Sequence, residues 1–593
     1  MKRYLPLGAI LGLCAVLSLA GAVQLDTPIA DAAMRGDVAE IETLIARGAD
    51  VNAAQGDGMT ALHWAGESGT REMAELLVSA GANLEAVTRI GDLTPLLIAA
   101  EAGNGPVVDV LLQSGANLKA RSSVGGATAL HYAARAGSVG AVEALLAHGS
   151  DPNELQLEWE QTPLTFAVSE NRVDVVRLLL DNGADPSLAS KVLNVSMSAI
   201  QDRRAKAVRD SVMNAFREAS PDPVTWRPTP EQVQAAVKAA RPHESFRDEP
   251  TRIDWESWQL EGHEPRYADL VEHMGGLTPL LHAVREGYRE SALALVRGGA
   301  DVNQVSAGDH TSPLLMAMVN GYYDLGLELL ALGADPNVAS DAGSTPLYAA
   351  INQRWIPKAR FAQQLAYQQQ QATHIDVMRA LLDAGADPNV RLTKHLWYME
   401  YNFSQLGVDT WGATPFWRAA HGLDVEAMRL LIEYGADPNI PTKAPPNPPT
   451  YANLGINDVS GLPPVPDGGP GVYPIHVVTG FGGTGAARAG NSHQHVPDGW
   501  MPAVRYLVEE LSANVNQRDF MGYTPVHHAA GRGMNEVILY LVEKGADVMA
   551  VARTGQTTVD MANGPAQGVT PFPLTIALLE GMGAINNNAC IFC

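Results

Sequence analysis

Three histidines in the last quarter of the chain are the residues whose type and spacing best suit a metal ion. His493 and His495 form a His-x-His pair, and His476 precedes them in the sequence. A zinc site, however, takes three or four His, Cys, Asp or Glu ligands at defined spacings. The stretch around the pair offers no Cys and no carboxylate at such a spacing. We therefore expect a polar loop here and no metal.

Two cysteines, Cys590 and Cys593, form a C-x-x-C pair. In an oxidising compartment such a pair closes a small disulfide ring, which is the plainest interpretation. Covalent haem attachment requires C-x-x-C-H, and the sequence shows no His after Cys593. An activated redox thiol needs a strand–turn–helix context that this stretch does not show. A disulfide is therefore expected, with haem attachment and free or mixed thiols as the alternatives.

Other chemical motifs are weaker. The glycine-rich stretch 481–500 lacks the Gly-Lys-Ser/Thr ending of a phosphate-binding loop and has no preceding strand. A local basic run could seat an acidic partner, but we favour pairing with the protein's own acidic surface; its members are Arg203, Arg204, Lys206 and Arg209. No Ser-His-Asp arrangement or paired-carboxylate motif can be placed at one pocket. We expect no catalytic site and no cofactor.

The elements that carry these residues are built from one short unit, seen most plainly at 128–153. Thr128 has the short oxygen-bearing side chain that caps a helix by accepting a backbone N–H. Gly137 ends this first helix, and Leu145 lies on the apolar face of a second helix that Gly149 terminates. Two such helices cannot bury their own apolar faces, so the unit must stack on copies of itself.

Copies follow at a spacing of 33 or 34 residues wherever nothing intervenes. The residues at the position of Thr128 are Thr27, Thr60, Thr94, Thr128, Thr162, Thr278, Ser312, Thr345, Thr414, Tyr473, Thr524 and Thr557. The stretches TALH at 60, TPLLH at 278 and GADPN at 385 resemble the hallmark motifs of the ankyrin repeat family. The resemblance covers most of the chain outside the insertions. It implies an all-α solenoid of stacked helix pairs with β-turn loops along one edge.

The repeat count divides the chain. We expect a signal peptide at 1–22, repeats 1–5 at 23–189, a helical insertion at 190–276, and repeats 6–9 with an aromatic loop at 277–440. A Pro- and Gly-rich loop at 441–471, repeats 10–12 at 472–584, and a tail at 585–593 complete the chain. The tenth repeat should be less regular, because Tyr473 replaces the capping Thr and Ser512 the helix-ending Gly.

Charge and hydropathy restrict the partners and the compartment. The net charge of −24 and the pI near 5.0 argue against a nucleic-acid surface, which needs clustered Lys and Arg.

Lys2 and Arg3 precede an apolar run that ends in small residues at Ala22, the pattern of a secretory signal peptide. Lipidation at Cys14 is less favoured, since bulky Leu13 precedes it. No later stretch is long and apolar enough to span a membrane. The mature chain is thus predicted to be exported, either periplasmic or secreted, and monomeric.

Aromatic residues provide the candidate binding positions. Large aromatic side chains are frequent anchors of protein interfaces. Five lie close together after the eighth repeat, where they either bind a partner or cover a neighbouring insertion: Trp397, Tyr398, Tyr401, Phe403 and Trp411. The family resemblance implies binding through turn tips and first helices, which adds Trp64, Tyr132 and Trp159.

The leading hypothesis is a non-catalytic, exported scaffold for a protein partner. The alternatives are a redox or haem-linked accessory protein and a secreted effector that binds a host protein.

Overall fold

The computed structural model describes residues 27–240, 270–355, 366–396, 409–445, 458–481, 499–563 and 571–587. The expected signal peptide and both cysteines of the C-x-x-C pair lie outside these ranges. Within them the chain is mostly helical, and it divides into two compact units. Unit 1 contains residues 1–190 and 290–300, and unit 2 contains 191–289 and 301–593.

Unit 1 contains five helix pairs before residue 190. Their helices are α1 Pro28–Met34, α2 Val38–Ala46, α3 Ala61–Ser68, α4 Arg71–Ser79, α5 Pro95–Glu101, α6 Gly105–Gln113, α7 Ala129–Ala136, α8 Val139–Ala147, α9 Pro163–Ser169 and α10 Val173–Asp181. First helices pack on first helices of the next repeat, and second helices from α4 onward do the same. This arrangement buries the apolar stripes that no single pair can cover, and Leu145 is fully buried.

Unit 2 starts with the insertion. Strand β1 (Val192–Asn194) precedes α11 (Val195–Glu218) and α12 (Pro230–Ala240), and β1 pairs antiparallel with β2 (His273–Gly275). The register places Leu193 opposite Met274. The two ends of the insertion therefore meet at a short sheet, and α12 begins at Pro230, a residue type favoured at the first position of a helix.

The helices after the insertion repeat the pattern of unit 1. They are α13 Pro279–Glu286, α14 Arg289–Arg297, α15 Pro313–Asn320, α16 Tyr323–Ala331, α17 Pro346–Trp355, α18 His374–Asp383, α19 Pro415–His421, α20 Val425–Glu433, α21 Pro474–Val478, α22 Met501–Arg505, α23 Pro525–Ala530, α24 Asn535–Glu543, α25 Thr558–Asn563 and α26 Pro573–Gly581. A 3₁₀ turn covers Ala366–Gln369, and a π turn, Tyr506–Glu510, follows α22. Most of α14 is assigned to unit 1, where Ser291 donates a hydrogen bond to Asn171 Oδ1. Stacked helix pairs with β-turn loops confirm the predicted fold class.

The Asp and Asn of the G-x-D-P-N ending join successive repeats. Asp151 Oδ1 accepts the N–H of Asn153 at 2.8 Å. The Asn153 side chain then donates to Gly183 O at 3.0 Å and accepts from Asp185 N at 2.7 Å, both in the following repeat. Asn303 and Asn389 make the same pair of contacts in unit 2. These bonds satisfy backbone groups at the helix ends, which explains the repeated spacing.

The predicted cap of α7 is part of a capping box. The Thr128 side chain accepts from the backbone of His131, and the His131 side chain accepts in return from the backbone of Thr128. His131 Nδ1 lies 3.3 Å from Thr128 N, which donates to it, and 2.8 Å from the Thr128 hydroxyl. Where the repeat has no His, the simple cap forms, as when Thr94 accepts from Leu97 N at 3.3 Å. The histidine of the motif therefore adds a second bond to the start of the helix.

The tenth repeat is irregular. Helices α21 and α22 have five residues each, and a π turn follows the second. Ser512 has φ +56°, a conformation in which glycine is favoured at helix ends. Without the usual Thr and Gly, the helix termini of this repeat are less well defined.

Candidate functional site

The β-turns between the repeats of unit 1 form a continuous edge. Backbone hydrogen bonds link each turn to the next: Arg89 N donates to Asp57 O at 2.8 Å, and Ser123 N donates to Gly91 O at 2.8 Å. Leu157 N completes the row by donating to Gly125 O at 3.0 Å. The turns of the first five repeats therefore act as one backbone-bonded surface rather than as independent loops.

Apolar side chains project from this edge. Ile90 is 83% exposed, Val124 67%, Leu157 68% and Trp159 46%. Single exposed apolar residues are normal on a protein surface, whereas a row of them on adjoining turns is typical of an interaction site. We call these four residues the turn-edge strip.

The turns that present the strip are held by their own polar side chains. Thr88 Oγ1 donates to Ile90 O and accepts from Leu93 N. Ser122 makes the same two bonds around Val124, to Val124 O and from Ala127 N. In the next turn Gln156 Oε1 accepts from Trp159 N at 2.7 Å. Because these bonds fix the backbone, little conformational entropy remains to be lost when a partner binds.

Acidic groups surround the strip. Asp57, Asp92, Glu158 and Glu160 are exposed on the same turns. Two cations lie on or beside the same turns. Arg121 is paired with Glu154, and its guanidinium also donates to Gly126 O and Leu155 O. Arg89 is exposed next to Ile90, and its guanidinium donates to Gly56 O at 2.7 Å. The four carboxylates outnumber these cations. An apolar surface with an acidic border complements a partner that is apolar and basic.

The predicted first-helix aromatics lie beside this edge but are less available. Trp64 is partly exposed and donates to Gln55 Oε1 at 2.8 Å, while Gln55 in turn donates to Asp31 Oδ1 at 2.6 Å. Tyr132 is buried, with the Arg135 guanidinium 5.1 Å from its ring centroid. Of the three predicted residues in unit 1, Trp159 is therefore the most accessible, Trp64 intermediate and Tyr132 mainly part of the core.

The histidines of the repeat motif have a structural role. His131 Nε2 contacts Gln161 O of the next repeat at 3.0 Å, and His63 Nε2 contacts Leu93 O at the same distance. Burial lowers the pKa of His131 to about 4, so its imidazole is neutral at physiological pH. The same applies to His476 and His527, whose pKa values burial lowers to about 4 and about 3. These rings join repeats and are not free to act as general bases.

The aromatic loop starts and ends at the turn edge of unit 2. Leu392 N donates to Ala413 O at 3.0 Å, and Gly412 N donates to Leu392 O at 2.9 Å. Trp411 is buried, and Lys443 Nζ lies 5.1 Å from its ring centroid. Trp411 therefore belongs to the core of the repeat rather than to an accessible surface. The other four aromatics, Trp397, Tyr398, Tyr401 and Phe403, lie outside the described residues.

The remaining chemical candidates fall mostly in segments outside the described residues. His493, His495, Cys590 and Cys593 lie outside the described residues, as does most of the glycine-rich stretch. In the part of the chain that is described, no three His, Cys, Asp or Glu side chains lie close enough together to hold a metal ion. No helix within the same ranges combines the length and apolar character needed to cross a bilayer.

One cleft in unit 1 has the volume of a small-ligand site. It encloses about 460 Å³ and is lined by Leu118, Lys119, Arg121, Thr128, Gly149, Ser150, Asp151 and Glu154. Its walls carry two cations and two carboxylates, and Arg121 and Glu154 pair with each other. Opposite charges that compensate one another give the cleft no clear ligand preference, and we assign it none.

Sequence reasoning missed three buried charged residues in unit 2, an ion pair and a single arginine. Lys394 and Glu272 form an ion pair at 3.6 Å with side chains only 5% and 6% exposed, at the base of the aromatic loop and the end of the insertion. Arg418 on α19 is fully buried. None of the three carries a recognisable motif. Arg418 alone offered a signal, since it is a charge on a repeat helix that is otherwise largely apolar.

Two family models match the repeats of this chain. The family model described as "Ankyrin repeats (3 copies)" matches residues 12–88, 29–122, 96–190 and 489–552, and the "Ankyrin repeat" model matches 275–307 and 411–443. BCL-6 corepressor-like protein 1 from Homo sapiens is 38% identical over 61 residues, which are 10% of this chain and 3% of that protein. The crystal structure of the human ASB11 ankyrin repeat domain is similar at 23% identity with a TM-score of 0.31, over 48% of this chain and 90% of that one.

Proposed function

Because the chain belongs to the ankyrin repeat family, we propose that it is a non-catalytic scaffold that binds a protein partner through the turn-edge strip of unit 1. The observation that carries the proposal is the row of exposed apolar side chains, Ile90, Val124, Leu157 and Trp159, on hydrogen-bonded turns. The acidic border favours a partner whose contact surface combines apolar and basic residues. Rigid, pre-organised turns would support affinity by limiting the entropy lost on binding.

A matched set of variants tests this surface. The double variant Ile90→Ser, Leu157→Ser removes two apolar side chains from exposed turn positions. The control Val139→Ser changes a 38% exposed apolar residue on the second helix α8 of the same unit. Partners would be identified by crosslinking and mass spectrometry, and their affinities measured with each purified variant. We expect the double variant to weaken binding at least tenfold and the control to leave it unchanged. If the wild type, the double variant and the control bind every partner with equal affinity, the turn-edge strip is not the binding surface.

The aromatic loop supplies a second contact surface in this proposal. Leu396 and Trp411 are buried, so a deletion that includes them would damage the repeat itself. A cleaner test replaces only 397–408 with a short Gly-Ser linker, which leaves the hydrogen-bonded base at Leu392 and Gly412 intact. Loss of a partner without a change in melting temperature would support a binding role. If the set of bound partners is unchanged, the loop does not bind them, and its aromatic residues instead cover a neighbouring insertion.

We further propose that the protein is exported and that its mature form begins at Val23. The support is the basic start, the apolar run and the small residues that end at Ala22. Cell fractionation followed by intact-mass measurement tests the proposal. A mass that includes residues 1–22, or protein confined to the cytoplasm, would contradict it.

A further inference from the structure

Arg418 lies in the interior of unit 2 with its charge bonded only to neutral groups. Its side chain is fully buried on α19, the first helix of its repeat. Nε donates to Asn352 Oδ1 at 2.8 Å, and Nη2 donates to Trp355 O at 2.8 Å. Both acceptors belong to α17, the first helix of the preceding repeat, which packs against α19. The guanidinium therefore joins two repeats, and no carboxylate of the described residues pairs with it.

Two buried donors remain unused beside these bonds. Arg418 Nη1 and Tyr348 Oη are both buried and make no hydrogen bond to any of the described residues. Tyr348 is also on α17, and it interacts electrostatically with Arg418. Burial lowers the pKa of Arg418 to about 10 and raises the pKa of Tyr348. At neutral pH the guanidinium is charged and the phenol protonated, so both groups can donate.

The neighbouring charges do not neutralise Arg418. The Arg354 guanidinium lies 4.4 Å from the Trp355 ring centroid, which adds a second cation. Asp424 is the carboxylate bonded to the same Trp355, but its oxygens are already used. Oδ2 accepts from Trp355 Nε1 and contacts His374 Nε2, both at 2.8 Å, and Oδ1 accepts from Ala427 N at 3.0 Å. Among the described residues, the two guanidinium groups near Trp355 therefore outnumber the one carboxylate.

A buried cation without a counter-charge is strongly unfavourable, and an unsatisfied buried donor adds to that penalty. A bound anion would offset both penalties, since its negative charge compensates the guanidinium and it accepts hydrogen bonds from the unsatisfied donors. We propose that Arg418 and Tyr348 form a binding site for a small monovalent anion of the size of chloride or formate. The anion must be small because both donors are covered by protein. As the donors come from two repeats, its occupancy would stabilise the stacking of α17 on α19.

The test compares thermal unfolding of the full chain in chloride, formate and gluconate at constant total ionic strength. Constant ionic strength keeps the screening of the acidic surface the same, and gluconate is too large for a covered site. We expect the melting temperature of the wild type to rise saturably as chloride or formate replaces gluconate. Tyr348→Phe removes one hydrogen bond to the anion, so the apparent Kd should increase about tenfold, equivalent to about 1.4 kcal/mol.

Tyr323→Phe is the matched control. Tyr323 is also fully buried in unit 2, but its hydroxyl already donates to Ala350 O at 3.1 Å. This variant should lower the melting temperature equally in all three salts and keep the wild-type Kd. In gluconate alone, Tyr348→Phe should be as stable as the wild type or more stable, because it removes an unsatisfied donor.

A third variant tests whether the anion response depends on the guanidinium. Arg418→Met should abolish the anion response if the variant folds, while Tyr348→Phe provides the test if it does not. A wild-type melting temperature that is the same in chloride, formate and gluconate overturns the proposal. So does an unchanged anion dependence in Tyr348→Phe, or an equal loss of that dependence in Tyr323→Phe.

Discussion

At the residue scale, the buried leucines of the second helices show how the repeat is held together. Leu145 on α8 is completely buried. We predict that Leu145→Ala lowers the free energy of unfolding by ~2–5 kcal/mol, because it loses transfer energy and leaves a cavity. Val139→Ala on the same helix, at a 38% exposed position, should change it by less than ~0.5 kcal/mol. Urea denaturation of both variants measures the difference. Equal effects would contradict the assigned packing of α8.

The buried histidines predict a dependence of stability on pH. The pKa of His131 is lowered to about 4 from the model-peptide value of 6.5, so in the unfolded chain it binds a proton more readily. Its neutral form therefore contributes stability above pH 6.5, and this contribution is lost as pH falls toward 4. His282, His476 and His527 act in the same direction.

Replacing one of these histidines measures its contribution to the pH dependence of the free energy of unfolding. His131→Gln should destabilise the protein near neutral pH, since it loses the contacts to Thr128 and Gln161 O. The stability gap from the wild type should narrow by up to ~1.4 kcal/mol per pH unit as pH falls below 6.5. Urea denaturation at a series of pH values measures the gap. A gap that stays constant between neutral pH and pH 5 would exclude the neutral buried imidazole.

At the element scale, the ends of the insertion and of the aromatic loop are held by polar contacts. Strands β1 and β2 close the insertion, and Gly276 N donates to Lys191 O at 3.1 Å. Glu272, immediately before β2, pairs with Lys394 in the loop after α18. Burial lowers the pKa of Lys394, which the charge of Glu272 partly opposes. This contact links two segments that interrupt the repeat.

A double-mutant cycle tests that link. Lys394→Met alone should destabilise the protein by ~3–5 kcal/mol, because it removes the cation from a buried ion pair. The same substitution in a Glu272→Gln background should cost at least ~1 kcal/mol less. The exposed pair Asp174–Arg177, 3.3 Å apart on α10, serves as the comparison, with coupling below ~0.5 kcal/mol. Additive effects at Lys394 and Glu272 would show that the ion pair contributes nothing.

At the scale of the whole molecule, the dominant physical property is the net charge of −24. Like charges repel one another in the folded state, and added salt screens that repulsion. We predict that the melting temperature rises between about 20 mM and about 300 mM sodium gluconate, a salt whose anion should not enter the Arg418 site. Thermal melts followed by circular dichroism measure the change. A falling melting temperature would mean that attractive ion pairs outweigh the repulsion.

The spacing of the repeat residues in the sequence predicted much of the fold, but it did not predict which side chains are buried and which are accessible. The interval between Thr94, Thr128 and Thr162 predicted the helix pairs, because each pair must bury its apolar face on the next. Trp411 was grouped with the other aromatics of its loop, yet it is buried. A run of aromatic residues does not reveal which of them lies at the hydrogen-bonded base of the loop.

The sequence by itself therefore determined the repeat, its approximate boundaries and the positions where it is interrupted. These features depend on local periodicity and helix-terminating residues, which act over a few turns of chain. Only the tertiary structure decided which polar groups became buried neighbours. Arg418 meets Trp355 and Asn352 across 63 and 66 residues. It also decided that Ile90, Val124, Leu157 and Trp159 share one exposed edge, because that edge exists only once the turns are hydrogen-bonded in succession.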